Sequence, residues 1–216
     1  MVHVLAEHTS ILNQYLAEIR DKDIQVDRIR FRKNLERIGE IFAYEISKTL
    51  EYSNTVTSTV LGEANTKTLT DQPVLATILR AGLPLHTGLL NIFDGAQNAF
   101  VSAYRKHHKD NSFDIAIEYL ACPKLDDKIL IVTDPMLATG SSMVLAYKAL
   151  LLKGKPKHTH IVSVIASTEG VEYLKKHMPD SNYTLWLGAV DEELTVQSYI
   201  VPGLGDAGDL AFGEKL

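Results

Sequence analysis

The segment Asp134–Ser142, DPMLATGSS, combines a carboxylate, three hydroxyl side chains and a glycine between a predicted strand and a predicted helix. The start of a helix offers unpaired N–H groups and a partial positive charge, which suits a phosphate monoester. Gly140 lets the backbone approach an anion closely. Asp134, at the strand end, can accept hydrogen bonds from sugar hydroxyls. The segment therefore predicts a sugar-phosphate site, and the alternative is a capped turn without a ligand. Because no lysine follows Gly140, it is not a nucleotide P-loop.

Short apolar runs alternate with helical patterns from residue 73 onward, and these elements must position the segment. The apolar runs lie at 73–79, 98–104, 114–120, 128–133, 160–166 and 183–190, and the helical patterns at 83–93, 142–153 and 168–178. Apolar runs of this length between helices favour βαβ units and a mainly parallel sheet that is covered on both faces. The fold class is therefore predicted to be α/β, with a mainly parallel sheet flanked by helices.

The N-terminal quarter predicts two helices and a hairpin. Residues 9–20 form a short amphipathic pattern, and from Asp27 to Leu50 apolar residues recur every three or four positions. Residues 55–61 and 66–70 predict a β-hairpin with its turn at Gly62–Asn65. We expect one domain over 1–216, in which a helical extension (1–50), the hairpin and a C-terminal tail (192–216) form an appendage or hood on an α/β core (73–191).

Two arginines lie where such a sheet would bind a ligand. Ligands of open parallel sheets bind beyond the carboxyl ends of the strands. Arg80 and Arg105 each lie at the end of a predicted strand, as do Thr133 and Ala189. A guanidinium is always charged and forks onto phosphate oxygens, so the two arginines are candidate anion contacts. Taken singly, either arginine is as well explained by a solvated or salt-bridged side chain.

The composition of the 216-residue chain excludes several classes of protein. With 22 basic and 27 acidic residues, the formal net charge is −5, which argues against general nucleic-acid binding. The single cysteine, Cys122, excludes an intramolecular disulfide and a multi-cysteine zinc site. No apolar run approaches the ~20 residues of a membrane span, and the N-terminus lacks the pattern of a signal peptide. We therefore expect a cytoplasmic protein.

Three blocks of the chain resemble the uracil phosphoribosyltransferase family. Ile78–Leu83 is similar to its first arginine loop, Asp134–Ser142 to its motif for 5-phospho-α-D-ribose 1-diphosphate (PRPP), and Tyr199–Asp209 with Phe212-Gly213 to its uracil-binding tail. The Pro-Met-Leu insertion is more specific than the motif of phosphoribosyltransferases in general. Weaker matches fall at Tyr104-Arg105 and Ala189–Glu192. The blocks follow the family's order over residues 78–213, while the helical first quarter resembles it only loosely.

The resemblance implies that uracil and PRPP react to give UMP and diphosphate in pyrimidine salvage. The family's transition state resembles an oxocarbenium ion, so positioning and charge stabilisation matter more than a strong nucleophile. Arg105 and Asp206 are carried over as catalytic residues, and Arg80 and Arg105 as diphosphate contacts. The implied PRPP site is completed by Asp134, Pro135, Met136, Leu137, Ala138, Thr139, Gly140, Ser141, Ser142 and Asp206.

The tail (192–216) is similar to the family's base site at Ile200, Gly205, Asp206 and Ala207, so the resemblance implies a base-binding tail. Its glycines also fit G-x-G-x-x-G, but that fingerprint must open a helix with an acidic residue about 20 positions on. Only eight residues follow Gly208, so a loop that presents backbone groups to a flat base is preferred. The resemblance also implies Mg²⁺, held through the diphosphate near Asp206 with no protein ligand assigned, and a cover over the site from residues 105–114.

Some positions depart from the family or carry weaker signals. Ser141 replaces the family's usual second glycine, which is tolerable unless φ must be positive. Asp191-Glu192 lies at a predicted strand end, where the two carboxylates could line the site. His107 and His108 are better explained as solvated loop residues than as proton donors, and Cys122 as a packed side chain.

The alternative function is an RNA-binding pyrimidine regulator of the same fold with little turnover. The basic cluster of the N-terminal helix favours it, and the cluster comprises Arg28, Arg30, Arg32, Lys33 and Arg37. The negative net charge counts against it, and one solvated helix face explains the cluster equally well. Transfer to a different base is a further alternative. The resemblance also implies a homodimer or larger homo-oligomer, and a GTP effector in some members, neither of which these residues decide.

Overall fold

Twelve strands and six helices form the fold in the computed structural model, which describes residues 1–107 and 113–214, with the backbone alone for 103–107 and 113–116. The strands are β1 (Val2–Val4), β2 (Tyr52–Thr59), β3 (Gly62–Leu69), β4 (Val74–Leu79), β5 (Gln97–His107), β6 (Phe113–Ala121), β7 (Ile129–Thr133), β8 (Met136–Leu137), β9 (His158–Ser167), β10 (Tyr183–Asp191), β11 (Glu193–Leu194) and β12 (Ile200–Val201). The helices are α1 (Ile11–Arg20), α2 (Arg28–Ser47), α3 (Leu83–Ile92), α4 (Ser141–Leu150), α5 (Thr168–His177) and α6 (Ala207–Phe212).

The central sheet has eight strands in the order β1-β10-β9-β7-β4-β5-β6, with β8 beside β9. Every pairing is parallel except β5 with β6, which is antiparallel. The prediction of a mainly parallel α/β sheet is therefore confirmed. The three-residue strand β1 was not predicted, because so short a segment carries no recognisable period.

Side-chain hydrogen bonds join the carboxyl ends of β4 and β7, where the two candidate loops begin. The hydroxyl of Thr77 donates to the carbonyl oxygen of Thr133 (3.4 Å), and the hydroxyl of Thr133 donates to that of Ala76 (3.2 Å). All three residues are buried. The loops after β4 and β7 therefore start from strand ends that are held together in the core.

Helices cover both faces of the sheet. One core cluster joins the apolar sides of α1, α2 and α3 to residues such as Ile131, Val164 and Trp186 of the sheet. The other joins α4 and α5 to the opposite face. The first two helices thus form a layer over one face of the sheet, because their apolar stripes pack against it.

The predicted hairpin is present with a different turn. Strands β2 and β3 pair from Tyr52↔Leu69 to Thr59↔Gly62, so the turn lies at Val60-Leu61 rather than at Gly62–Asn65. Threonine hydroxyls pair across it, Thr55 with Thr68 at 2.7 Å and Thr57 with Thr66 at 2.8 Å. Val60 and Leu61 carry no turn signature, which is why the pattern misplaced the turn.

Within the described residues, no helix combines the length and the apolar character that a membrane crossing requires.

Candidate active site

A cleft of about 190 Å³ lies at the carboxyl edge of the sheet. One wall is the loop from β7 into α4, and the other is the C-terminal tail. The lining residues are Ala81, Asp134, Met136, Leu137, Ala138, Thr139, Gly140, Ser142, Met143, Ser198, Tyr199, Ile200, Gly205, Asp206, Ala207 and Gly208. The structure therefore brings the two segments singled out in the sequence to opposite sides of one cleft.

The phosphate-binding candidate is the start of α4. Gly140 is its N-cap residue, with φ +77°, a left-handed conformation that favours glycine. The first N–H groups of a helix have no partner within it, and both Ser142 and Met143 in this first turn line the cleft. The Thr139 and Ser141 hydroxyl oxygens lie 2.7 Å apart. An anion in the cleft would meet backbone N–H groups and hydroxyls together.

The start of α5 packs against the loop between β7 and α4 and is hydrogen-bonded to it. The Ser167 hydroxyl donates to the carbonyl oxygen of Ala138 at 2.5 Å and accepts the N–H of Gly170 at 2.8 Å. A Cβ atom on Gly170 would lie 2.6 Å from the carbonyl oxygen of Leu137, closer than real Cβ contacts. The absence of a side chain at residue 170 therefore lets the loop and α5 approach each other.

Asp134 is partly exposed to the cleft, and its carboxyl has a raised pKa. Burial raises the pKa of its carboxyl to about 7, and the hydrogen bond from the Met136 N–H (3.3 Å) opposes the shift. Its own N–H donates to the carbonyl oxygen of Val162 at 3.1 Å, which ties the loop to β9. A perturbed carboxyl in a cleft is a functional-site candidate, and sugar hydroxyls would favour its charged form.

The opposite wall is built from turns that expose backbone groups. Gly203 and Gly205 have φ values of +53° and +96°. Asp206 then caps α6, because its Oδ1 accepts the N–H groups of Gly208 (2.9 Å) and Asp209 (3.0 Å). These turns place Gly205, Asp206 and Ala207 along the cleft.

A second cavity of about 160 Å³ continues the cleft towards Arg80. It shares five lining residues with the cleft, so the two form one contiguous space: Ala81, Asp134, Ser142, Asp206 and Gly208. The Arg80 Nη2 group donates to Asp209 Oδ1 (2.7 Å) and to the carbonyl oxygen of Gly213 (2.8 Å). Arg80 therefore lies beside a space that can hold a second anionic group. One nitrogen of its guanidinium, Nη2, is already hydrogen-bonded to the C-terminal tail.

Not every expected residue lies in this space. Pro135 and Ser141 do not line it, since the carbonyl oxygen of Pro135 accepts N–H groups of β9 and the Ser141 hydroxyl faces Thr139. Asp191 and Glu192 do not line it either, because Asp191 is turned towards Arg20. Ser141 is not strained: positive φ among the described non-glycine residues occurs only at Asp127 and Ser198.

The side chain of Arg105 lies outside the described residues, as do residues 108–112 of the expected cover and therefore His108. The structure adds lining residues that were not assigned to the site from the sequence, namely Ala81, Met143, Ser198, Tyr199 and Gly208, although Ala81 lies in the arginine-loop match. Tyr199 and Gly208 fall inside the family-like tail, so that motif was the available signal, whereas nothing in the local sequence marks Ser198.

Most of the basic cluster on α2 is engaged within the chain. Arg30 forms a bidentate pair with Glu18 (2.9 Å for each contact), and Arg32 donates to the carbonyl oxygen of Ala211 (2.6 Å). Lys33 pairs with Glu36, and Arg37 donates to Asn34. The feature that favoured an RNA-binding regulator is therefore largely a set of structural contacts.

A larger cavity, of about 440 Å³, lies at the amino ends of β7, β9 and β10. It shares no residue with the cleft. Ligands of open parallel sheets bind at the carboxyl ends of the strands. The smaller cleft is therefore the better candidate for the active site.

No cluster of three or more His, Cys, Asp or Glu that could hold a metal ion occurs in the part of the chain that the structure describes. Mg²⁺ binds proteins through one or two carboxylates, with substrate phosphates and water as further ligands. Asp134 and Asp206, which line both parts of the cleft, meet this requirement.

A mainly parallel sheet whose carboxyl edge holds a hydroxyl-rich helix start and a glycine-rich tail is the arrangement expected of a phosphoribosyltransferase. The family model for uracil phosphoribosyltransferase matches residues 6–214. The chain is 59% identical over 216 residues to the uracil phosphoribosyltransferase of Porphyromonas gingivalis, covering 100% of this chain and 99% of that protein. It is 37% identical over 213 residues to that of Pyrococcus furiosus, covering 97% and 89%.

The AQ2163 protein from Aquifex aeolicus, a solved structure, superposes with a TM-score of 0.87 at 28% identity, over 99% of this chain and 98% of that one. The chain belongs to the uracil phosphoribosyltransferase family. It is an enzyme that transfers the 5-phosphoribosyl group from PRPP to uracil, giving UMP and diphosphate. None of these relatives supports the RNA-binding alternative.

Proposed function

We propose that the start of α4 binds the 5-phosphate of PRPP and that the tail binds uracil across the cleft. The observation that supports this assignment is that both segments line the same cleft. Thr139, Gly140 and Ser142 offer N–H groups and hydroxyls on one side, and Gly205 and Ala207 present backbone on the other. Asp134, at the start of the same loop as Thr139, lines both parts of the cleft and accepts hydrogen bonds from the ribose hydroxyls as a carboxylate.

The diphosphate occupies the extension of the cleft beside Arg80. Arg80 offers a guanidinium there, and Arg105 is proposed as the second diphosphate contact on the resemblance alone. Mg²⁺ would be held by Asp206, and by Asp134 where the substrate leaves an oxygen free, with substrate oxygens and water completing its ligands. When bound, the ion neutralises charge on the leaving diphosphate.

Uracil is recognised by the backbone of Ile200, Gly205, Asp206 and Ala207. N–H and C=O groups of the tail can pair with the alternating O4, N3–H and O2 edge of the base. Cytosine carries an amine and an unprotonated N3 at that edge, so its binding would leave polar groups of the tail unpaired. Each unpaired buried group costs roughly 1–3 kcal/mol, which is a physical route to rejecting cytosine.

The cleft promotes transfer by holding both substrates and stabilising charge. The loop at Thr139 fixes the sugar at its phosphate, and the tail holds the base, so the reacting atoms meet in one orientation. Arginine and carboxylate groups surround the place where the diphosphate departs and an oxocarbenium-like sugar forms. A cover from residues 105–114 that excludes water stays a prediction, as do a homo-oligomer, a GTP effector and a cytoplasmic location.

Product formation with purified protein tests this assignment. UMP should form from uracil, PRPP and Mg²⁺, and should not form from cytosine or hypoxanthine. Arg105→Ala should lower turnover sharply without unfolding the chain, whereas Lys175→Ala, on the outer face of α5, should leave turnover unchanged. An Arg105→Ala enzyme with wild-type turnover would remove Arg105 from the proposed site.

A further inference from the structure

Gly203 lies inside the proposed base-binding loop and is held by two charged side chains from distant parts of the chain. Arg20 is the last residue of α1, and Asp191 is the last residue of β10. The Arg20 guanidinium forms a bidentate pair with the Asp191 carboxylate, with Nη1–Oδ2 and Nη2–Oδ1 distances of 2.7 and 2.8 Å. The Asp191 side chain is 8% exposed and that of Arg20 is 23% exposed.

Both backbone polar groups of Gly203 bind to this ion pair. Its N–H donates to Asp191 Oδ2, and its carbonyl oxygen accepts from Arg20 Nη1, each at 2.9 Å. Hydrogen bonds to charged groups are stronger than neutral ones. The peptide planes on either side of Gly203 are therefore fixed by groups that belong to other elements.

The backbone of Gly203 also excludes any other residue. Its φ is +53°, and an added Cβ atom would collide with the carbonyl oxygen of Ile200. The next residue is anchored as well: the amide of Gln25, oriented to donate its NH₂ group, reaches the carbonyl oxygens of Leu204 and Ile19 at 2.9 Å each. The link between α1 and the loop thus has two contacts.

Neither Arg20 nor Asp191 lines the cleft, whereas Ile200 and Gly205, on either side of Gly203, do. The base contacts proposed above are backbone groups, so their directions depend on how this turn is held. We propose that Arg20 and Asp191 are positioning residues that set uracil affinity and base selectivity by fixing the backbone at Gly203. This inference rests on the proposed assignment of the tail to the base.

The charge state of Asp191 agrees with this role. Burial alone would raise the pKa of its carboxyl, but the hydrogen bonds from Arg20 and from the Gly203 N–H hold the pKa below its usual value. The pair therefore remains charged across the neutral range.

Steady-state kinetics on the full enzyme separate positioning from simple stabilisation. In Arg20→Ala and Asp191→Asn, the KM for uracil should rise roughly tenfold to hundredfold, because small misplacements in a site are costly. The KM for PRPP should stay within about twofold, and the preference for uracil over cytosine in kcat/KM should fall. The double variant should be little worse than the worse single variant, since the two residues act as one unit.

The matched control is Arg30→Ala. This substitution breaks the bidentate pair between Arg30 of α2 and Glu18 of α1, and neither residue contacts the tail. It should lower the thermal stability without changing the KM for uracil. Arg20→Lys keeps the charge, but an ammonium group cannot reproduce the paired hydrogen bonds of the guanidinium to Asp191 and Gly203. Its KM for uracil should therefore lie between those of the wild type and Arg20→Ala. It also supplies the test if Arg20→Ala fails to fold.

The inference is overturned if folded Arg20→Lys and Asp191→Asn both keep the wild-type KM for uracil and the wild-type selectivity. A different variant tests whether the tail binds uracil at all. Ala207→Val places a larger side chain in the cleft itself and should raise the KM for uracil. If it does not, the base is bound elsewhere and the assignment of the tail is wrong.

Discussion

Arg80 and Asp209 form an ion pair across the rim of the proposed diphosphate space, with 2.7 Å between Nη2 and Oδ1. Both side chains are about one-third exposed, so the pair contributes about 1 kcal/mol or less. In the proposed site, the diphosphate competes with Asp209 for the same guanidinium. In Asp209→Asn, we expect the KM for PRPP to fall, by up to about fivefold, with the difference shrinking as salt is added.

The control for this prediction is Glu172→Gln, which removes the partner of Lys175 on the outer face of α5. Its KM for PRPP should be that of the wild type. An unchanged or higher KM for PRPP in Asp209→Asn would show that the pair does not compete with substrate.

Asp206 combines a helix cap with a charge beside the proposed diphosphate. Asparagine is as good an N-cap as aspartate, so Asp206→Asn should keep the bonds to Gly208 and Asp209 and change stability little. Loss of the charge should lower kcat by a factor on the order of 10² to 10³, as for other groups that stabilise charge in a transition state. Thermal unfolding and turnover, measured together, check this.

Asp27→Asn is the matched variant, because Asp27 caps α2 through the N–H groups of Ile29 and Arg30 far from the cleft. It should retain full turnover. Wild-type kcat in Asp206→Asn would mean that the carboxylate serves the helix alone.

Gly170 should be intolerant of a methyl group although it does not line the cleft. In Gly170→Ala, the new Cβ atom would press on the carbonyl oxygens of Leu137 and Ala138, so the phosphate loop must move. We expect the KM for PRPP to rise by roughly tenfold or more, since misplaced binding groups are costly.

Gly95→Ala is the comparison, because its Cβ atom would meet only the flexible side chain of Gln72, at 3.3 Å. It should leave the KM for PRPP unchanged. A wild-type KM for PRPP in Gly170→Ala would show that the loop adjusts without loss of binding.

The raised pKa of Asp134, about 7, predicts a pH dependence of PRPP binding. In the proposed site, ribose hydroxyls donate to the carboxylate, so binding below this pKa should release a proton. PRPP affinity should therefore rise as the pH increases through about 7 and then level off. Calorimetry at pH 6 in buffers of different ionisation enthalpy counts the released protons, and Asp134→Asn should release fewer.

The same group affects stability with a defined sign. Its pKa in the folded protein lies above the ordinary value of 3.8, so its stabilising contribution is full below about 3.8 and is lost as the pH rises through about 7. Asp134→Asn should remove this slope from denaturation curves of the free enzyme. Identical slopes in the two proteins would contradict the raised pKa.

Structural features that depend on residues close together in the sequence were predictable. The buried parallel strands are continuous apolar runs, and the anion-binding candidate is a strand, a hydroxyl-rich loop and a helix start within Lys128–Leu150. The antiparallel direction of β6 was predictable as well, although it was not predicted: only residues 105–113 separate the two apolar runs, and a parallel pair needs a crossover of about a dozen residues or more.

Contacts between distant residues could not be predicted in this way. Arg20 and Asp191 are 171 positions apart, and neither carries a local pattern that names its partner. The sequence suggested Asp191 as a lining residue because it ends a strand, but its carboxylate is turned away from the cleft to Arg20 and Gly203. Only tertiary packing decides to which side such a residue points.

The hydrogen bonds that the hydroxyls of Thr77 and Thr133 donate to backbone carbonyl oxygens have a consequence for substrate selection. They join β4 and β7 directly below the loops proposed to hold the diphosphate and the sugar phosphate. The separation between those two loops is therefore set when the chain folds. We therefore expect a phosphorylated sugar diphosphate one carbon longer or shorter to be a poor substrate, because its two anionic groups would not fit both proposed loops at once.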